Sequence, residues 1–315
     1  MQVLYEEDAV TQPGAIVLGN LDGLHCGHRV LLKEAYDLAK KAKPSWRTRV
    51  ITFSPHTSAA HLQEPMELIY SDEQKLTLLK ESGLVDEVVV LAFTDAVRAL
   101  EPEVFFEEYL IKRYHAQAVI IGDNFRFGKN GRGDSQLMET LCRRVGIICR
   151  SLKRSETNGE PISSSRIRTL LAEGRIQEAN LLLGRPYFIE GPVKHGKQIG
   201  RTIKTPTLNL PLMPGTLTPK KGVYVTRCYT DSGVYESISN VGQNPTVEKA
   251  GSGLPKPHLE THLFDFSGDL YDQTVRVELL AFLRPEQRFE SVDALHEQLM
   301  QDIAATRQYF QSVSE

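Results

Sequence analysis

The stretch Ile16-Val17-Leu18-Gly19-Asn20-Leu21-Asp22-Gly23-Leu24-His25-Cys26-Gly27-His28 decides how the first half of this chain is read. Its apolar run stops at Gly19, further glycines stand at Gly23 and Gly27, and His25 and His28 are three residues apart. From Arg29 to Lys43 the residues Leu31, Leu32, Ala35, Leu38, Ala39 and Ala42 recur at helical spacing, with lysines opposite them. The pattern is strand, tight loop, helix. A helix that starts at or just inside the loop brings the two histidines one turn apart at its N-terminus. Backbone N–H groups and the positive end of the dipole favour an anion there. Two imidazoles add donors whose charge adjusts near neutral pH, the unperturbed pKa being about 6.5. Phosphate chemistry is the expectation. Two blander readings stand beside it, incidental surface histidines or half of a zinc site. Zinc would need further ligands at recognisable spacing, and Cys26 between the histidines points away from both. The loop is neither a G-x-G-x-x-G fingerprint nor a Walker loop. Gly191-Pro192-Val193-Lys194-His195-Gly196-Lys197-Gln198 has the Walker glycine spacing and lysine, but Gln198 replaces the magnesium-binding hydroxyl and no helical pattern follows.

Outward from this loop, strand and helix patterns alternate. Strands are expected at Ala15–Leu18, Arg49–Phe53, Glu87–Phe93, Ala118–Ile121 and Gly146–Arg150, and helices at Arg29–Lys43, Asp72–Ser82, Pro102–Tyr114 and Ser135–Val145. Nearly continuous apolar strands separated by helices imply a parallel sheet covered on both faces, a Rossmann-like α/β arrangement. Sites in such folds lie beyond the carboxyl ends of the strands. The Gly19–His28 loop leaves the first strand, and Gly122-Asp123-Asn124-Phe125-Arg126-Phe127-Gly128 leaves the fourth. Further on, Ser163-Ser164-Ser165-Arg166-Ile167-Arg168 opens a helix. Serine N-caps and solvated arginines explain that segment as well as a polyphosphate site does.

After Leu183-Gly184-Arg185-Pro186 the pattern becomes all-β, with strands expected at Val223–Thr226, Val234–Val241, His258–Phe266 and Thr274–Phe282, and a closing helix at Val292–Phe310. A small antiparallel barrel with a terminal helix follows. The expected domains are residues 1–184 and 185–315. A chain of 315 residues with 41% hydrophobic content is long enough for two cores. Its net charge of −3 supplies no whole-protein attraction for nucleic acid or membrane. The acidic N-terminus has no signal-peptide core, no apolar run approaches the roughly 20 residues of a membrane span, and Cys26, Cys142, Cys149 and Cys228 form no C-x-x-C pair. A soluble, cytoplasmic protein is expected.

These segments together resemble the bacterial bifunctional riboflavin kinase/FMN adenylyltransferases, also called FAD synthetases, over nearly the full length. The first loop is similar to the H-x-G-H signature in the setting G-x-F-D-G-x-H-x-G-H, with Leu21 in place of the aromatic. Thr52-Phe53-Ser54-Pro55-His56, Gly122–Gly128 and Ser163–Arg168 match in order. In the second half Gly191–Arg201, Pro206-Thr207-Leu208-Asn209, Gly222-Val223-Tyr224, Pro245-Thr246 and Leu259-Glu260 match, while Ile203-Lys204-Thr205 and Gln243-Asn244 depart from the family pattern.

The resemblance implies that the first half transfers AMP from ATP to FMN, yielding FAD and pyrophosphate, and that the second half phosphorylates riboflavin with ATP. It implies His25 and His28 as catalytic donors, and Gly19, Asn20, Asp22, Gly23, Gly27, Ser164, Ser165 and Arg166 as ATP contacts. Asn124 and Phe125 would contact flavin. In the kinase half Glu260 is the implied base, Gly191, His195, Gly196, Gly200 and Arg201 contact ATP or riboflavin, and Thr207 and Asn209 hold Mg2+. A structural turn role for Asp22 and an exposed strand carboxylate for Glu260 stay open. So does an adenylyltransferase whose β-domain binds flavin without phosphorylating it. The expected partners are small molecules, neither nucleic acid nor membrane.

Overall fold

The computed structural model describes residues 1–42, 46–54, 56, 66–194, 207–243 and 257–313, and the chain forms two compact units, Met1–Ser164 and Ser165–Glu315. In the first unit, strands β1 (Gln2–Tyr5), β2 (Gly14–Leu18), β3 (Arg47–Ser54), β4 (Glu87–Ala92), β5 (Ala116–Gly122) and β6 (Ile148–Leu152) make a six-stranded sheet of lateral order β1-β4-β3-β2-β5-β6. Every pairing in it is parallel. Every residue of β2 is buried, as a central strand covered on both faces requires. From β2 the chain moves outward to β3 on one side, whereas β5 lies on the other. The strand order therefore reverses between β2 and β5. Beyond the carboxyl ends of such a pair an α/β sheet opens a crevice, and the loops after β2 and β5 are the two glycine-rich loops singled out above.

Helix α1 (Cys26–Ala42) begins at Cys26 rather than Arg29, which takes His28 into its first turn. Helices α2 (Asp72–Glu81) and α3 (Asp95–Arg98) follow. The helix expected over Pro102–Tyr114 starts as α4 (Pro102–Val104) and continues π-wound over Phe105–Arg113, closing with the Tyr114 N–H donated to Tyr109 O at 2.9 Å. The wider winding buries Phe105, Phe106 and Leu110, a five-residue recurrence that a 3.6-residue pattern does not describe. Helix α5 (Ser135–Val145) has the expected bounds. At the amino ends of the strands, fully buried Arg49 pairs with Glu87 at 2.6 Å and donates to Tyr114 O and Gln12 O. Burial lowers its pKa, which Glu87 opposes. This network is structural and lies at the end of the sheet away from the loops.

Between β6 and the next helix runs a short hairpin of β7 (Glu156–Thr157) and β8 (Glu160–Pro161). Helix α6 (Ser164–Glu173), in the second unit from Ser165 onward, and α7 (Ile176–Leu183) precede β9 (Tyr187–Pro192), β10 (Leu208–Pro211), β11 (Gly222–Thr230), β12 (Gly233–Gln243), β13 (Pro257–Leu263) and β14 (Thr274–Pro285). The sheet is antiparallel, of order β10-β13-β12-β11-β14-β9. Its two edges approach one another just beyond β9, where the Lys194 N–H donates to Asn209 O at 2.8 Å on β10. The sheet is thus a nearly closed barrel, which removes most of its open edge. Asn180 ties α7 to it, accepting from the Tyr187 N–H at 2.7 Å and donating to Leu279 O at 2.9 Å. On the inward face Thr226 Oγ1 lies 2.8 Å from Ser237 Oγ and 2.7 Å from Ser239 Oγ, and Ser239 Oγ lies 2.8 Å from Thr261 Oγ1. The buried hydroxyls satisfy one another. The opposite face, with Val223, Val225, Ile238 and Ala281, packs against Ile303, Tyr309 and Phe310 of α8 (Val292–Val313).

Candidate active sites

The loop after β2 is held from several directions. The Gly19 N–H donates to Ile51 O and Thr52 Oγ1 donates to Asn20 O, each at 3.2 Å, keeping the loop against β3. Leu21 (φ 51) and Leu24 (φ 38) are left-handed, and Gly23 between them has φ 79. Left-handed backbone costs a leucine roughly 1–2 kcal/mol, whereas burying its side chain contributes about 1.5–3 kcal/mol. Both leucines are buried, so burial wins and holds the strained turn. The buried Asp22 carboxylate accepts from the Ile69 N–H at 3.0 Å, and the Asp22 carbonyl accepts from Ser164 Oγ at 2.9 Å. Asp22 clamps the loop to its surroundings.

His25, only 5% exposed, is the residue that caps α1. Its Nδ1 accepts the His28 backbone N–H at 3.3 Å, which requires a lone pair on Nδ1 and so places the ring proton on Nε2. The His28 ring stacks on it with centroids 3.6 Å apart and planes 15° from parallel. Gly27 admits this stack, since a Cβ there would lie 3.2 Å from Cε1 and Nδ1 of His25. Two imidazoles fixed at a helix N-terminus beyond a topological reversal suit the oxygens of a phosphoryl group. Among the described residues no group of three or more His, Cys, Asp or Glu is placed to hold a metal ion.

The loop after β5 is tied down by Asp123 N–H to Leu152 O at 2.9 Å and by Phe125 N–H to Gly122 O at 3.1 Å. A Cβ on Gly122 would lie 3.3 Å from Asn124 Oδ1. Phe125 stacks with Phe127, centroids 5.9 Å apart, presenting an aromatic pair beside the asparagine. Gly128 has φ 69, and a Cβ there would stand 2.7 Å from Pro102, so only glycine fits. Ser165 and Arg166 belong to the second unit, in the first turn of α6, where Arg168 donates to Ser165 Oγ at 3.3 Å.

On the barrel, Asn209 of β10 stands opposite Glu260 of β13, and Glu260 stands opposite Asn240 of β12. Directly opposed residues have Cβ atoms about 4.5–5.5 Å apart, so an amide, a carboxylate and an amide form one row. The Glu260 side chain is 36% exposed, and its Oε1 lies 3.2 Å from His258 Nε2. Asn240 Nδ2 donates to Glu286 Oε1 at 3.3 Å. Gly242 leaves space for that contact, since a Cβ there would lie 2.5 Å from Glu286 Oε1. Thr207 immediately precedes β10 and Gly191 lies on β9. His195, Gly196, Gly200, Arg201, Ile203, Lys204, Thr205 and Asn244 fall outside the described residues. Asn240, His258 and Glu286 are not among the residues expected from the sequence. For Asn240 and Glu286 the signal exists only in three-dimensional pairing, whereas His258, two residues from Glu260 on a strand, was open to an alternation argument.

A family model described as FAD synthetase matches residues 7–166, and one described as riboflavin kinase matches residues 183–310. The chain is 33% identical over 302 residues to the bifunctional riboflavin kinase/FMN adenylyltransferase of Bacillus subtilis, covering 95% of this chain and 93% of that one. To the protein of the same description from Escherichia coli K12 it is 34% identical over 313 residues, covering 95% and 94%. The chain belongs to the bifunctional riboflavin kinase/FMN adenylyltransferase family. It is a riboflavin kinase and an FMN adenylyltransferase, with riboflavin, FMN, FAD and ATP as substrates and products. A crystal structure described as a macrolide-efflux protein from Streptococcus pneumoniae shares the fold, with TM-score 0.86 and 30% identity over 98% of this chain and 99% of that one. Among the described residues of the present chain, no helix is long and apolar enough to cross a membrane.

Proposed function

We propose that adenylyl transfer takes place at the loops after β2 and β5, that riboflavin is phosphorylated at the Asn209–Glu260 row, and that the functional boundary lies between residues 184 and 185. The observation that carries the first assignment is the His25–His28 stack on the capped N-terminus of α1. An FMN phosphate oxygen attacks the α-phosphorus of ATP and pyrophosphate leaves, without a covalent enzyme intermediate. Catalysis is alignment plus stabilisation of charge on the phosphoryl oxygens. His25 donates from Nε2 and His28 from its ring, and the backbone of Gly19, Asn20, Gly23 and Gly27 surrounds the phosphates. Asp22 holds the loop in shape. Asn124 and Phe125 hold the flavin, and Ser164, Ser165 and Arg166 are the proposed contacts to the β,γ-phosphates.

In the second reaction the terminal ribityl hydroxyl of riboflavin attacks the γ-phosphorus of ATP, and Glu260 takes its proton. Gly191, His195, Gly196, Gly200 and Arg201 are the proposed contacts to ATP and riboflavin. Thr207 and Asn209 supply neutral oxygens beside the Glu260 carboxylate, a hard donor set that fits Mg2+. When bound, the ion would neutralise charge on the phosphates of ATP. The protein acts in the cytoplasm on small molecules rather than on nucleic acid or membrane, a reading supported by its net charge of −3 and its four scattered cysteines. Incubation with riboflavin, ATP and Mg2+, followed by chromatographic separation, tests the assignment. FMN should appear first and FAD after it, and a chelator should stop riboflavin phosphorylation. Conversion of supplied FMN to FAD with riboflavin left untouched would contradict the kinase assignment.

A further inference from the structure

Glu260 and His258 point to the same face of β13, since alternate residues of a strand share a face. Two residues along a strand span about 6.6 Å, so a 3.2 Å contact between His258 Nε2 and Glu260 Oε1 requires both side chains to lean together. The His258 side chain is 14% exposed, less than half the exposure of its partner, so the imidazole is the more fixed of the two. Across the sheet Glu260 is flanked by Asn209 and Asn240, and Asn240 is itself engaged by Glu286. The carboxylate thus stands in a frame built from three strands and the segment after β14.

We infer that His258 is a positioning residue for the kinase reaction: its Nε2–H occupies Oε1 of Glu260 and leaves Oε2 as the oxygen that receives the riboflavin hydroxyl proton. The inference rests on Glu260 being the base. A flexible carboxylate on an exposed strand face samples many rotamers, whereas a general base must stand within hydrogen-bond reach of the proton it removes. A supporting hydrogen bond narrows that search, and a misplacement of about 1 Å at a reacting centre costs up to about 10²-fold in rate. The histidine neither touches the transferred phosphoryl group nor takes the proton. It acts through the carboxylate.

The test uses the full chain, with riboflavin kinase kcat and KM measured for His258→Ala, His258→Gln, Glu260→Gln and the double variant His258→Ala/Glu260→Gln. His258→Ala should lower kcat roughly 10- to 100-fold, with KM for riboflavin and ATP near wild type, which also shows that the barrel is folded. His258→Gln, which restores a donor of similar reach, should return kcat to within a few-fold of wild type. In the double variant the histidine change should add nothing to the loss caused by Glu260→Gln. Unchanged kcat in His258→Ala beside a disabled Glu260→Gln overturns the inference and leaves the base standing. Multiplicative losses in the double variant overturn it too, since His258 would then act independently of Glu260. Normal turnover in Glu260→Gln overturns the base assignment itself.

Discussion

Gly27 sits between opposed preferences. Helix propensity favours alanine over glycine by up to about 1 kcal/mol, and the backbone of Gly27 is not in the left-handed region, so the helix accepts alanine. The His25 ring resists it, because a Cβ 3.2 Å from Cε1 and Nδ1 is tighter than most such contacts and makes the ring give by a few tenths of an ångström. Gly27→Ala should therefore leave the melting temperature unchanged or slightly raised while adenylyl transfer to FMN falls about tenfold; full transfer activity would mean the ring is free to shift. At this scale the glycine and histidine spacing was legible in the sequence. The capping bond from His28 N–H to His25 Nδ1 was not, because it depends on a rotamer rather than on residue order. Nor were the left-handed Leu21 and Leu24, whose backbone is held by burial contributed from distant segments. Asn240 stayed hidden because it meets Glu260 only through strand register.

Elements with their own punctuation were readable, and those defined by partners were not. Helix α5 has an N-cap in Asp134, which accepts from the Leu137 N–H at 2.9 Å, and ends at left-handed Gly146, so both ends are written locally. β1 and β10 are four residues each, too short to display an alternation, and they become strands by pairing with β4 and β13. β9 likewise takes its identity from β14. Besides its apolar contacts, the terminal helix α8 is tied to β14 by a fork: Arg284 donates through Nε and Nη2 to Asp302 at 3.0 and 2.7 Å, and Gln298 donates to the same carboxylate at 3.0 Å. Asp302→Ala leaves that arginine without its main partner. Removing half of a fully buried pair costs about 3–5 kcal/mol; with 21% of the Arg284 side chain exposed, about 2 kcal/mol is the expectation here. The single tryptophan, Trp46, belongs to the first unit. Urea unfolding should consequently show a weakened circular-dichroism transition with an unmoved tryptophan-fluorescence transition. Equal shifts in both signals would contradict a local role for the fork.

For the whole molecule, the alternation of strand and helix followed by an all-β pattern was enough to read both folds, because each unit builds its core from its own periodicity. The place of α6 and α7 was not readable in that way. Their amphipathic patterns specify a buried face but not its partner, and the structure sets them in the second unit, with Lys220 N–H donating to Leu171 O at 3.0 Å and Asn180 bridging to β9 and β14. A fragment of residues 165–315 should therefore resist urea better than one of residues 185–315, and should convert riboflavin to FMN. Equal stability of the two fragments would show that α6 and α7 add nothing to the barrel. The central claim is that one chain carries two independent catalysts, and a reciprocal pair of variants tests it most directly. His28→Ala and Glu260→Gln are each supplied with riboflavin, ATP and Mg2+, and separately with FMN, ATP and Mg2+, and FMN and FAD are quantified. His28→Ala should accumulate FMN from riboflavin while FAD formation falls roughly 10²–10³-fold, and Glu260→Gln should lose roughly 10²–10⁴-fold of riboflavin phosphorylation while converting supplied FMN to FAD at the wild-type rate. Loss of both activities in either folded variant, or of neither, would contradict the account.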